Sequence, residues 1–167
     1  QIDPASTASW IDTTLRAAGA EVTRAPDPCS LPKALKNEVE VAGIRAAHVR
    51  DGAALTRFLA WLPDAVAKGD VDEVAAADRL EAIRREDKLL TGLSFPTIAG
   101  AGPNGAIVHY RAMPDTARTL TEGQLFLVDS GGQYLDGTTD VTRTVALGAP
   151  NAEQCERFTR VLKGHIA

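Results

Sequence analysis

Two aspartates, Asp129 and Asp140, stand at the facing ends of two apolar, β-rich runs. The first run, Leu125–Asp129, ends on one aspartate, and the second run, Val141–Leu147, begins directly after the other. A carboxylate at the end of a buried strand is costly unless it is paired, hydrogen-bonded or bound to a cation. A hairpin between the runs could bring both carboxylates to one face of adjoining strands, although the sequence alone leaves the register open.

Two carboxylates held close together repel each other, and hard divalent cations such as Mn²⁺ or Mg²⁺ relieve that repulsion through oxygen ligands. The pair therefore predicts a metal site. The structural alternative, favoured by spacing alone, is that Asp129 caps a turn and that Asp136-Gly137 forms a hairpin turn. Thr142 and Thr144 have hydroxyls on the Asp140 side or opposite it, and they fit either hydrogen bonding to a metal ligand or ordinary β-propensity.

The full pattern around the aspartates resembles the metal-binding hairpin of Xaa-Pro aminopeptidases, in the creatinase and methionine-aminopeptidase superfamily. It reads D-S-G-x-Q-Y…D-G-T-T-D-x-T-R-T over residues 129–144. Upstream, residues 36–51 resemble the family's first catalytic-domain helix, and residues 95–110 resemble its histidine-bearing strand. These matches span most of residues 33–148, and the residues before them resemble the end of the family's non-catalytic domain.

The resemblance implies roles for three residues. Asp129 would chelate one metal ion, and Asp140 would bridge two divalent ions, which are usually manganese in this family. His109 would contact the substrate near the scissile bond and stabilise the tetrahedral intermediate, the alternative being a strand histidine satisfied by a neighbour. The family uses five metal ligands. Its histidine and two glutamates lie in downstream motifs that this sequence does not contain.

Other polar residues are predicted to play no part in the site. Glu153, Glu156 and His165 lie on a predicted helix outside any matching motif, so we interpret them as surface residues. His48 falls in a matched motif but on a long helix, where a packing or surface role is expected. Cys29 and Cys155 are far apart and outside any metal-binding spacing, which predicts two free thiols.

The implied activity is removal of the N-terminal residue from a peptide whose second residue is proline, by a dinuclear metal enzyme. Because three metal ligands are missing, we expect the chain alone to be inactive. Within the superfamily, an Xaa-Pro dipeptidase or a creatinase-like hydrolase would share the two aspartates. Two non-enzymatic alternatives also remain, a metal-free interaction module of the same fold and a structural fragment without a function of its own.

The surrounding sequence predicts an α+β fold in which helices come first and an antiparallel sheet follows. Lys36–Ala67 predicts a long amphipathic helix that ends or kinks at Pro63. Asp70–Lys88 predicts a second helix whose charged side chains form a solvated face. Ala106–Arg111 predicts the strand that carries His109. The resemblance identifies this arrangement as the first half of a pita-bread catalytic domain.

The first 33 residues are too few elements to bury a core of their own. Ala5–Ala18 predicts a helix, Ala20–Arg24 a short strand, and Ala25–Leu35, with its three prolines, irregular chain. We therefore expect residues 1–33 to be the end of a preceding non-catalytic domain. Residues 34–167 would then be the N-terminal half of the metallopeptidase catalytic domain.

The composition excludes several classes of protein. The 167 residues are 44% hydrophobic and 24% charged, the balance of a soluble globular protein. A net charge of −4 with scattered Lys and Arg lacks the electrostatic footprint of a nucleic-acid binder. No apolar run approaches the roughly 20 residues that cross a bilayer, and the first residues lack the basic-then-apolar pattern of a signal peptide, so we expect a cytoplasmic protein. Half a catalytic domain would expose sheet edge and core surface, which favours homo-oligomers.

Overall fold

The computed structural model describes all 167 residues, which form two compact units, residues 1–41 and 42–167. The first unit contains α1 (Ser9–Ala17) and α2 (Ser30–Ala34), and α3 (Glu38–Lys68) begins in it. The helix predicted from Ala5 thus begins later, at Ser9, and the preceding residues form a turn in which the Asp3 carboxyl accepts from the backbone N–H of Ala5.

Two further predictions for the first unit need correction. The segment predicted to be irregular contains α2, whose five residues tolerate Pro32 because a helix this short leaves most N–H groups unbonded in any case. The strand predicted at Ala20–Arg24 is reduced to one β-bridge between Arg24 and Ile2.

The second unit contains two three-stranded antiparallel sheets, most of α3 and two further helices. The elements are α4 (Glu73–Arg84), β1 (Leu90–Leu93), β2 (Ile98–Ala101), β3 (Leu125–Ser130), β4 (Gly132–Tyr134), β5 (Gly137–Thr138), β6 (Val141–Ala146) and α5 (Ala152–Ile166). One sheet has the order β2-β3-β6 and the other β1-β4-β5. This is the α+β order that the sequence predicts. No helix is both long and apolar enough to cross a membrane.

The core lies where α3 and α4 pack against the β2-β3-β6 sheet. Phe58 of α3, Leu80 of α4 and Phe126 of β3 are fully buried in one apolar cluster. α3 continues through Pro63 to Lys68, so the helix does not end at the proline, which was one of the two predicted outcomes. Its residues on both sides of the proline are buried in the same cluster, and this packing offsets the lost backbone hydrogen bond.

α4 does not present all its charges to solvent, which corrects the predicted solvated face. Arg84 is only 1% exposed and donates to both oxygens of the buried Asp51 carboxyl on α3, at 2.7 and 3.0 Å. The Tyr134 hydroxyl of β4 donates to the same carboxyl at 2.7 Å. This network joins two helices and a strand inside the protein, where a buried charge is tolerated only with such partners.

Candidate metal centre and active-site residues

The pairing of β3 with β6 fixes the register that the sequence left open. Asp129 is paired with Thr142, and Ser130 with Val141. Side chains of directly paired residues share a face, so Thr142 lies on the Asp129 face of the sheet. Asp140 is exposed and precedes β6, and a regular continuation of that strand would put it on the same face, diagonally from Asp129. The register therefore allows both carboxylates to face one shared cation.

The Asp129 carboxyl has an unusual environment for an acidic group. Its Oδ1 atom is buried and has no hydrogen-bond partner. A buried carboxylate oxygen without a partner costs free energy, and a hard divalent cation is the ligand that its chemistry suits. Asp129 and Asp140 thus fit such an ion as two oxygen ligands. No group of three or more His, Cys, Asp or Glu side chains in the chain is arranged to hold a metal.

The β4–β5 hairpin joins the two aspartates and is fixed tightly against α3. A Cβ atom added to Gly137 would lie 2.9 Å from the Ile44 Cα atom, so only glycine permits this approach. The hairpin turn contains Asp136, whose carboxyl accepts from Arg50 at 2.5 Å, and this hydrogen bond lowers the pKa of that carboxyl. The Arg50 guanidinium also lies 5.4 Å from the centre of the Tyr134 ring.

His109 does not lie on a strand, which corrects the prediction for Ala106–Arg111. The backbone forms a 3₁₀ helix over Gly102–Ala106 and then an exposed turn. The chain folds back because Gly100 approaches Gly105 closely: a Cβ on Gly100 would lie 2.7 Å from the Gly105 nitrogen. His109 itself has a φ of 55°, the left-handed region that non-glycine residues rarely adopt and that is enriched at functional sites.

Glu73, the first residue of α4, was assigned to the solvated face but is completely buried. Its carboxyl accepts from the backbone nitrogens of Ala101, at 2.7 Å, and Arg118, at 3.0 Å. It also accepts from the Asn104 side-chain amide at 3.0 Å and the Tyr110 hydroxyl at 2.8 Å. Burial, and then the hydrogen bond to Glu73, raise the pKa of Tyr110. We call this set of five residues the Glu73 cluster.

A signal for Glu73 was present in the sequence. It lies three residues before Ala76 and seven before Leu80, both of which are buried, so it falls on the apolar stripe of α4. A charged residue on the apolar stripe of a helix indicates an interior partner, because burying it alone is too costly.

The remaining polar candidates are surface residues, as predicted. Glu153 and Glu156 are exposed on α5, next to Arg157 and Arg160 at the following turn. The same helix carries His165, also exposed, and His48 is exposed on α3 with Nδ1 2.8 Å from the Ile44 carbonyl oxygen. Cys29 and Cys155 are free and exposed.

Residues 42–167 match the family model described as metallopeptidase family M24. The chain belongs to this family. It is 46% identical over 164 residues to the Xaa-Pro aminopeptidase ApepP of Drosophila melanogaster, covering 98% of this chain and 27% of that protein. It is 54% identical over 136 residues to a probable Xaa-Pro aminopeptidase P of Laccaria bicolor, covering 81% and 21% respectively. The chain therefore spans about a quarter of the length of these relatives.

Solved structures agree with the family assignment. The X-prolyl aminopeptidase of Caenorhabditis elegans, described as a cytosolic enzyme with a di-nuclear active site, is 40% identical with a TM-score of 0.79. The match covers 86% of this chain and 24% of that one. An Xaa-Pro dipeptidase from Bacillus anthracis has a TM-score of 0.80 at 22% identity and shares the fold alone. The predicted pita-bread fold and the resemblance to Xaa-Pro aminopeptidases are confirmed.

Proposed function

We propose that residues 34–167 form part of the catalytic domain of a dinuclear metal-dependent aminopeptidase that removes an N-terminal residue preceding proline. The observation that carries the proposal is the buried, unpartnered Oδ1 of Asp129, on the sheet face that a regular continuation of β6 would give to Asp140 as well. The relatives above 45% identity are named Xaa-Pro aminopeptidases, which favours this activity over the dipeptidase and creatinase alternatives.

The chain's own residues take distinct roles in this proposal. Asp129 and Asp140 would hold the divalent ions through their carboxylate oxygens, and the ions would supply Lewis-acid polarisation of the scissile carbonyl. His109 is exposed on its turn, so a peptide can reach it, and an imidazole N–H there can donate to the oxygen on which charge develops. The Arg50–Asp136 pair and the glycine contact with α3 hold the hairpin between the two aspartates.

Finer statements belong to the same proposal. We propose manganese as the metal, since hard oxygen ligands suit it, and a peptide with proline in second position as the substrate. The cytoplasm is the proposed location, and the C. elegans relative is described as cytosolic. Residues 1–33 are proposed to be the end of a non-catalytic domain, and self-association into homo-oligomers is proposed as well.

The test uses the full-length protein that contains this segment, with added Mn²⁺. Release of the first residue is measured on a peptide of the form Xaa-Pro-Yaa, on the matched Xaa-Ala-Yaa peptide and on the dipeptide Xaa-Pro. We expect turnover of the first peptide alone, and its loss on chelation. Equal turnover of the alanine peptide would overturn the proline preference, and turnover of the dipeptide alone would favour the dipeptidase alternative.

A further inference from the structure

The segment that carries His109 lacks the packing that normally fixes a loop. No residue between Ala101 and Leu120 is buried, and Val108, next to His109, is 82% exposed. Apolar burial therefore contributes little to its conformation. His109 nevertheless adopts a left-handed backbone conformation, which persists only where the surroundings determine it.

The Glu73 cluster supplies the missing restraint. Glu73 binds the segment at its start (Ala101), in its 3₁₀ helix (Asn104) and at its end (Arg118). The fourth contact is with Tyr110, the residue directly after His109. Each contact reaches a different part of the segment, so together they fix its path.

Glu73 is itself held rigidly. Its backbone N–H donates to the Arg118 carbonyl oxygen at 3.1 Å, so the two residues exchange two hydrogen bonds. The preceding Asp72 caps α4 by accepting from the Ala75 nitrogen at 2.7 Å. Leu80, two turns along the same helix, is fully buried in the core. A continuous path of contacts thus runs from the core through Glu73 to the residue beside His109.

We propose that Glu73 is the positioning residue for His109, which it holds through Tyr110 and Asn104 in the geometry needed to meet the substrate carbonyl. The inference rests on the proposed role of His109. Glu73 is completely buried, so in this proposal it acts through the turn and not by direct contact with the peptide. It lies outside both the proposed metal-binding hairpin and the segment that carries His109.

The conservative variant Glu73→Gln disturbs this arrangement in a defined way. Both oxygens of Glu73 accept hydrogen bonds, and each receives one from a backbone N–H, of Ala101 or of Arg118. A glutamine has one oxygen, so its amide N–H₂ must face one of these backbone donors. The segment then shifts, and a small misplacement of a catalytic group is enough to slow a reaction.

The experiment is a double-mutant cycle in the full-length protein with Mn²⁺ and an Xaa-Pro-Yaa peptide. We expect His109→Ala to lower kcat about a hundredfold, the usual effect of removing a donor to an oxyanion. Glu73→Gln should lower kcat about tenfold with KM unchanged, as for an interaction made in the transition state. In the His109→Ala background, Glu73→Gln should cost less than about twofold, because no histidine remains to be positioned.

A matched pair of tyrosine variants serves where Glu73→Gln folds poorly. Tyr110→Phe and Tyr134→Phe each remove a hydroxyl that donates to a buried carboxyl, Glu73 at 2.8 Å and Asp51 at 2.7 Å. We expect the loss of kcat caused by Tyr110→Phe to shrink in the His109→Ala background. Any effect of Tyr134→Phe on kcat should be the same with and without His109. Metal content and the unfolding midpoint are measured for every variant.

The outcomes separate the inference from the function on which it rests. Full activity of His109→Ala would remove the proposed role of that histidine, and with it the inference. A second outcome is a large loss of kcat for His109→Ala together with losses for Glu73→Gln and Tyr110→Phe that are the same with and without His109. That outcome would overturn the positioning role of Glu73 and leave the role of His109 intact. Coupling of both variants to His109, with two metals still bound, would support it.

Discussion

The proposed metal site depends on two side chains, Asp129 at the end of β3 and Asp140 just before β6. Asp140 is the proposed bridging ligand, whereas Cys155 is a free, exposed thiol on α5. We expect Asp140→Ala in the full-length protein to lower turnover by more than about a hundredfold, since loss of residues that merely support a ligand already costs 10–100-fold. Cys155→Ala should retain wild-type turnover. Hydrolysis of an Xaa-Pro-Yaa peptide with Mn²⁺ checks both, and an active Asp140 variant would contradict the assignment.

Asp129 offers a test that needs no turnover. Its buried Oδ1 lacks a partner, so the metal-free protein carries the cost of an unsatisfied acidic group there. Asp129→Asn removes the charge at the same size, and we expect it to raise the free energy of unfolding by about 1 kcal/mol in EDTA. The same variant should lose the stabilisation that Mn²⁺ gives the wild type. Urea denaturation with and without the metal measures both effects. A variant that is less stable than the wild type in EDTA would contradict the idea that Asp129 is kept at a cost in stability in order to bind a metal.

Each of the two tyrosines of the chain donates to a buried carboxyl, Tyr134 to Asp51 and Tyr110 to Glu73, so their ionisation reports on these hydrogen bonds. Burial and then the hydrogen bond to Asp51 raise the pKa of Tyr134, and burial and then Glu73 raise that of Tyr110, from a reference value of 10.0. Above pH 10 the unfolded chain releases these protons while the folded chain keeps them. Stability is therefore complete below pH 10 and falls above it, by about 1.4 kcal/mol per pH unit for Tyr134.

An absorbance titration of phenolate formation measures this shift. We expect little phenolate in the folded protein at pH 10.5 and abrupt ionisation on unfolding. Tyr134→Phe should reduce the loss of stability with rising pH. A folded protein whose two tyrosines titrate near pH 10 would show that the buried hydrogen bonds to Asp51 and Glu73 are absent in solution.

Two ion pairs of opposite character tie α3 to the chain around the end of α4, one to Arg84 in α4 and one to Glu86 just after it. Arg84–Asp51 is buried, while Arg57–Glu86 has both side chains more than half exposed. We expect Arg84→Ala to destabilise the protein by about 3–5 kcal/mol, because it leaves the Asp51 carboxyl buried with only Tyr134 as partner. Arg57→Ala should cost less than about 1 kcal/mol. Urea denaturation of the two variants compares them directly, and equal losses would contradict the burial difference.

The elements that sequence predicts best are the long or regularly patterned ones. α3 and strands β3 and β6 follow clear periodicities, and they are present within a residue or two of the predicted bounds. β4 and β5 were missed because strands of three and two residues are too short to show alternation. Ile107 and Val108 misled the prediction of a strand at Ala106–Arg111, since β-branched residues favour strands but are here exposed in a turn.

The residues of the candidate site also differ in how far the sequence alone predicts them. Asp129, Asp140 and His109 could be predicted as candidates because a specific motif surrounds them. Glu73 was missed because its four donors come from residues 28 to 45 positions away, and no local pattern announces them. Arg84 was missed for the same reason, with Asp51 33 positions away. The apolar stripe of α4 indicates that Glu73 is buried, but the partners of both buried charges are visible only in the three-dimensional packing.

For the molecule as a whole, the proposed assignment gives the 167-residue chain two of the five metal ligands that the resemblance implies. A partial oxygen shell leaves most of the affinity to ligands that are absent, so we expect weak binding of Mn²⁺ and no peptide hydrolysis by this segment alone. We also expect self-association, because α5 exposes apolar side chains that normally favour burial, among them Phe158 at 50% and Val161 at 75%.

Calorimetry with Mn²⁺, a peptidase assay and light scattering on the isolated segment test this expectation together. Asp129→Asn is the matched control for calorimetry, since it should remove even the weak binding of the metal. A monomer in light scattering would contradict the expected self-association. Tight binding of two ions, or turnover above that of the metal alone, would show that a second copy of the chain replaces the absent ligands. The metal site would then be formed by an assembly of chains. Adding wild-type chains to an Asp129 or Asp140 variant should in that case restore part of the metal binding that the variant lost.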